Sequence, residues 1–268
     1  MVHARVTVAE AERLLNAEYQ QFYHDASEMT VHRCISSGYA LPADVAQAVD
    51  FVAPTVRVPT IRRAKKLDRS SGSLSNTNNT PEVLRRIYNV GDAQGSAPDN
   101  VAAVTAFLEQ YYDEDALQSF YDGQCEDKDI NCGIDNSASD TVTLVGDATT
   151  GSPGIESMLD IEYITALGSS IKTEFWGFAG RSPDNPDNEP FLKFLNQVSM
   201  TSDDTVPKIF SSSYGEDEQT CSLAWAQRLN TEFMKTGARG ISLLFASGDS
   251  GAAGDNGCID GKFVPQWP

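Results

Sequence analysis

The chain has 268 residues, 40% of them hydrophobic and 9% aromatic, which is enough for a real core in one large domain or two smaller ones. Its formal charge of −18 would repel nucleic acid and anionic membrane, which argues against both as partners. No run reaches the ~18 apolar residues of a membrane span, and the amino end, MVHARVTVAEAERLL, has no hydrophobic signal core, so either the protein is cytosolic or its true beginning lies upstream.

The charge is unevenly placed. Residues 1–80 hold 9 Lys/Arg and 8 Asp/Glu, whereas residues 81–268 hold 11 and 30. Such a carboxylate-rich surface sheds its charge in acid, which is compatible with work in an acidic compartment. Five cysteines, Cys34, Cys125, Cys132, Cys221 and Cys258, fit no zinc spacing. Cys125 and Cys132 bracket a polar loop that a local disulfide would close, and the odd count leaves at least one cysteine over. A single glycosylation sequon, Asn78-Asn79-Thr80, has meaning only in a secreted chain.

In chain order, Val6 to Phe22 reads as an amphipathic helix with Thr7 as its cap, and Leu41 to Val52 as a second helix entered through Pro42. Residues 1–57 thus form a small α+β unit. The composition then changes: residues 58–80 carry the basic cluster Arg62-Arg63-Ala64-Lys65-Lys66, followed by Ser, Gly, Asn and Thr, and read as an exposed linker open to proteolysis.

From Pro81 the pattern is α/β. Helices are expected from Pro81 to Tyr88 and from Asn100 to Gln110. A strand at Asp140–Gly146, a helix at Gly154–Leu167, a strand at Ser170–Phe178 and a helix at Pro190–Val198 follow. The series ends with a strand at Lys208–Tyr214, a helix at Cys221–Gly237 and a strand at Ile241–Ala246. Alternation of this kind predicts a parallel sheet with helices on both faces. In the last strand the apolar run Leu243 to Ala246 suits a central strand covered on both sides.

That strand ends in Ser247-Gly248-Asp249-Ser250-Gly251, which sets one acid at the carboxyl end of a strand, where open α/β folds place their chemistry. A Ser-His-Asp site needs a histidine in the same domain, and the three histidines, His3, His24 and His32, all lie near the amino end. The second candidate is the helix Gly154-Ile-Glu-Ser-Met-Leu-Asp-Ile-Glu-Tyr163. Glu156 and Asp160 share one face, while Ile155, Leu159 and Tyr163 occupy another. Two carboxylates one turn apart repel, which invites a functional reason. Carboxylates serve as base and base-orienter where histidine would already be protonated, and a protonated acid can donate to an oxyanion. Asp122, Asp127, Asp129 and Asp135 resemble a calcium loop only in part, since Cys132 stands where an EF-hand needs glycine.

GIESMLDIEY, SSSYGEDE and LLFASGDSGA, in this order, resemble the sedolisins, the serine-carboxyl peptidases of subtilisin-like fold, and most closely their tripeptidyl-peptidase branch. VTVAEAERLLNAEYQQFYH and LPADVAQAVDFV resemble the later part of the family's inhibitory propeptide. The resemblance implies an incomplete subtilisin-like parallel sheet over residues 81–268, preceded by part of the propeptide over 1–57 and an activation linker over 58–80. It implies Glu156 as general base, Asp160 as its supporting acid and Asp249 as the oxyanion-stabilising acid. Ser213, Tyr214 and Gly215 are implied to line the cleft for an extended peptide, and Glu216 or Asp217 is expected to meet a substrate amine.

The family's Ser-Gly-Thr-Ser-Ala-Ser nucleophile motif is absent from these 268 residues, as is its calcium loop. The expectation is an incomplete zymogen, truncated at both ends and inactive alone, whose complete form acts on peptides or unfolded protein in a lysosomal or extracellular setting. Its own propeptide would inhibit it, and calcium would bind outside this chain. The alternative is a short noncatalytic homologue that binds peptides or inhibits.

Overall fold

The computed structural model describes residues 2, 4–24, 29–56, 79–125, 130–254 and 261–268. Most of the expected linker, the sequon's Asn78, Cys258, His3, Asp127 and Asp129 lie outside these residues.

Five parallel strands form the central sheet: β3 (Val101–Ala106), β4 (Val142–Gly146), β5 (Lys172–Gly177), β6 (Ile209–Ser212) and β8 (Ser242–Phe245), in the order β4-β5-β3-β6-β8. Because side chains alternate along a strand, each strand feeds two cores. Ala103, Trp176 and Phe210 face α7 (Phe191–Met200) and α8 (Leu223–Ala238), in a core where Trp176 and Phe210 meet edge to face at 5.0 Å. Val104 and Phe175 face the other way, onto α4 (Glu114–Gln124) and α6 (Ile155–Leu167). Full burial of each large apolar side chain contributes roughly 1.5–3 kcal/mol, so the two aromatic-rich layers are the main source of stability. This is the expected α/β sheet with helices on both faces.

Several expected elements change. Asn100–Gln110 is not a helix: its apolar run Val101-Ala-Ala-Val-Thr-Ala106 forms β3, the middle strand, buried from both sides. The alanines favour helix locally, and burial between two layers overrides that preference. The strand expected from Asp140 begins only at Val142, because Ser137 caps the short helix α5 (Ala138–Thr141) through a bond to the Asp140 amide. The run at β8 is also not central. It ends the sheet, and Leu244 remains 55% exposed. Register places Leu244 beside Ser211, on the α6 side, where Ile209 is 46% exposed and Leu159 on α6 is 49% exposed. The described residues leave this part of the sheet face uncovered.

The amino-terminal unit is smaller in helix than expected. Thr7 caps α1 (Val8–Leu15) in a capping box with Glu10. Asn16 then turns left-handed at φ 45°, and the chain continues as a hairpin of β1 (Gln20–His24) and β2 (Met29–Arg33). The second helix shrinks to α2 (Ala43–Ala46), and the chain beyond it lies against the larger domain: Phe51 meets Trp225 of α8 edge to face at 5.6 Å, and Asp50 pairs with Arg228 at 3.4 Å.

After residues 57–78, Thr80 caps α3 (Pro81–Ile87), with proline in its first turn as expected. Arg85 of α3 is buried. Its guanidinium donates to the carbonyls of Gly91, Ala93, Ala166 and Leu167 and so ties α3 to the carboxyl end of α6. Cys125 and Cys132 are disulfide-bonded, closing the loop between α4 and α5.

Candidate active site

The site begins with how α6 is held. Its first residue follows Gly154, which has no side chain to cap the helix, and the Gln110 side-chain oxygen takes that place by accepting from the Glu156 amide at 3.1 Å. A Cβ at Gly154 would sit 2.0 Å from that oxygen, so the exchange of caps requires glycine. Ser157 Oγ donates to the Tyr111 carbonyl at 2.7 Å. The turn after β3, with Leu108 and Glu109 at positive φ, therefore fixes the first turn of α6, from which Glu156 projects, with Asp160 one turn further on.

Asp160 accepts a 2.5 Å hydrogen bond at Oδ1 from Ser213 Oγ, just past the end of β6. Its Oδ2 is buried with no hydrogen-bond partner among the described residues. Burial pushes the Asp160 carboxyl up to about 7; the Ser213 bond opposes this rise, and the neighbouring Glu156 charge adds to it. Glu156 is also raised, first by burial and then by the charge of Asp249, while the Ser213 hydroxyl favours its ionised form. The structure thus gathers Glu156, Asp160, Asp249 and Ser213 from α6, the end of β6 and the turn after β8. Where two acids share a site, unequal environments assign them different protonation states. Asp160, raised to about 7, therefore holds its proton through mild acid.

Asp249 follows Gly248, whose φ of 80° suits only glycine and whose Cα lies against the Gln266 side chain. Tyr214 lies mostly in the core. Its ring packs edge to face on Phe107 at 5.1 Å, and burial drives its phenol far above the ordinary range. Gly215 backs onto the Trp267 carbonyl. Glu216 and Asp217 do not present themselves to a cleft. They are buried in the short strand β7 (Glu216–Asp217), antiparallel to β9 (Gln266–Trp267), where Glu216 accepts from Cys221 Sγ at 2.7 Å and Asp217 accepts from the Gln266 amide. Strand pairing places both acids inside, and the expected contact with a substrate amine is corrected accordingly. His32 lies exposed in the amino-terminal hairpin, paired with Gln21.

Two contributors were not legible in the sequence. Gln110 falls in the segment read as helix, so its capping of α6 gave no signal. The Ser213 hydroxyl was hidden by the reading of its segment as a backbone cleft wall. Among the described residues no group of three or more His, Cys, Asp or Glu is arranged to hold a metal ion, and no helix is long and apolar enough to cross a membrane.

A parallel α/β sheet with a carboxylate cluster beyond the carboxyl ends of its strands is the architecture expected of the serine-carboxyl peptidases. Comparison with known proteins agrees. Residues 1–58 match the Pro-kumamolisin activation domain. The chain is 35% identical to tripeptidyl-peptidase 1 of Canis lupus familiaris over 98% of its length and 46% of the relative's. It is 34% identical to tripeptidyl-peptidase 1 of Homo sapiens, with the same two coverages. Its fold matches Pseudomonas sedolisin, a serine-carboxyl proteinase solved with two molecules of pseudo-iodotyrostatin, at a TM-score of 0.52 and 17% identity, covering 70% of this chain and 50% of that one. The chain belongs to the sedolisin family, on its tripeptidyl-peptidase branch. It spans about half the length of the curated relatives it matches.

Proposed function

We propose that the complete protein is an acid-acting serine-carboxyl peptidase that releases tripeptides from the free amino ends of peptides or unfolded proteins, and that these 268 residues supply its propeptide and three of its acids. The observation that carries this reading is the convergence of Glu156, Asp160 and Asp249 with the Ser213 hydroxyl bonded to Asp160. Ionised Glu156 takes the proton from a serine hydroxyl outside this chain as that oxygen attacks the scissile carbonyl. Asp160 beside it steadies the proton's arrival. The Asp249 carboxyl donates to the oxyanion of the tetrahedral intermediate, and Glu156 then returns its proton to the leaving amine.

The activation-domain match supports a propeptide that inhibits until it is removed, with the Phe51–Trp225 and Asp50–Arg228 contacts as part of its seat. An acidic compartment, lysosomal or extracellular, suits this chemistry. Calcium is expected to bind outside these residues, and no step above uses it. The test is hydrolysis of a peptide with a free amino end at acidic pH by the complete, processed protein. Glu156→Gln is expected to lower kcat at least ~100-fold, and unchanged turnover in that variant would remove Glu156 from the role of base.

A further inference from the structure

The Ser213 hydroxyl stands at the junction of α6 and β6. Ser213 lies one residue beyond β6, so its backbone is fixed by the sheet, while its side chain turns back to α6 and donates to Asp160 Oδ1 at 2.5 Å. A hydroxyl has one proton to give; it goes to Asp160, and Glu156, one turn earlier on α6, lies near enough for the same hydroxyl to favour its ionised form.

We propose that Ser213 is a positioning residue: its single donor proton is shared between Asp160 and Glu156, locks both carboxylates to the end of β6, and sets which of the two carries the proton of the pair. This rests on the peptidase reading for its catalytic consequence and on the structure alone for the hydrogen bond. Among the described residues the charged and titratable groups that face the pair are Tyr214 next to Ser213 and Asp249 after β8, and neither of them is a cation. With no cation beside the carboxylates among the described residues, the fixed hydroxyl is the group there that favours ionisation, in line with the direction in which it moves both acids.

The consequence has a definite sign. A donor stabilises the ionised carboxylate, so its removal raises the pH at which the acids lose their protons. In carbon-13 carboxyl NMR of the 268-residue chain, Ser213→Ala is expected to raise the Asp160 midpoint by about one pH unit. Ser213→Thr, which keeps the hydroxyl, is expected to leave it in place, and Ser213→Cys, a weak donor of similar size, to fall between. In the complete protein, Ser213→Ala is expected to move the acid limb of kcat/KM to higher pH and lower kcat at least ~10-fold, with KM nearly unchanged. Ser213→Thr should recover most of that loss.

If the Asp160 midpoint stays fixed in both the alanine and the cysteine variants, the assignment is wrong. It is equally wrong if KM rises while kcat and the pH limb hold, for then the side chain serves substrate binding. A shifted midpoint in a complete protein that hydrolyses no peptide would retain the positioning role and overturn the peptidase reading, so the two failures are separable.

Discussion

Replacing Asp160 by asparagine should make the protein more stable, and only where the carboxyl would be ionised. The native carboxyl is raised from its ordinary 3.8 to about 7, chiefly by burial. A raised acid favours folding in its neutral form, so this contribution is complete below 3.8 and is lost as pH rises through about 7. The full span corresponds to ~4 kcal/mol, and the group's partial exposure reduces the expected difference to roughly 2–3 kcal/mol. Asparagine keeps the shape and an oxygen for Ser213 to bond, while carrying no charge to desolvate. Thermal denaturation at pH 8 should place Asp160→Asn about 5–10 °C above the parent chain, and at pH 4 within about 1–2 °C of it. Equal gains at both pH values would show that packing, not charge burial, is responsible. A loss at pH 8 would refute the electrostatic account of Asp160 altogether.

The remaining expectations concern the frame and the oxyanion acid. Arg85→Ala leaves the carbonyls of Gly91, Ala93, Ala166 and Leu167 without their shared donor and should cost about 3 kcal/mol or more, read as a fall in midpoint during chemical denaturation; a change below ~1 kcal/mol would mean water replaces the guanidinium. Cys125→Ser with Cys132→Ser opens a short loop, and chain entropy sets the loss at roughly 2.5 kcal/mol, measured against the parent chain with and without reductant. Asp249→Ala in the complete protein should reduce kcat by about 100–1000-fold with little change in propeptide release, and intact turnover would return the turn after β8 to a purely structural role.

Much of this was readable from residue order because the signals were local. The i, i+4 placement of Glu156 and Asp160 needs only a helix, and the alternation from Asp140 to Ala246 needs only periodicity, so the helix that carries both acids and the layered sheet were visible in sequence. Whatever depended on tertiary burial was not. Val101–Ala106 reads as helix through its alanines and is a strand because it lies between two aromatic layers. Leu243 to Ala246 has the composition of a fully covered strand, yet one face of β8 stands open beside α6. Glu216 and Asp217 look exposed by charge alone and are enclosed by pairing with β9. The link from Ser213 to Asp160 joins residues 53 positions apart, and no local pattern announces it.

The most direct test of the central claim, that a carboxylate set runs this site, is the pH profile of kcat/KM for the complete, processed protein on a peptide with a free amino end. The account requires activity in acid, with release of tripeptides, and a decline as pH rises past about 7, where Asp160 loses its proton. Sustained activity at pH 8 equal to that in acid, or an unaltered profile in Glu156→Gln, would contradict it.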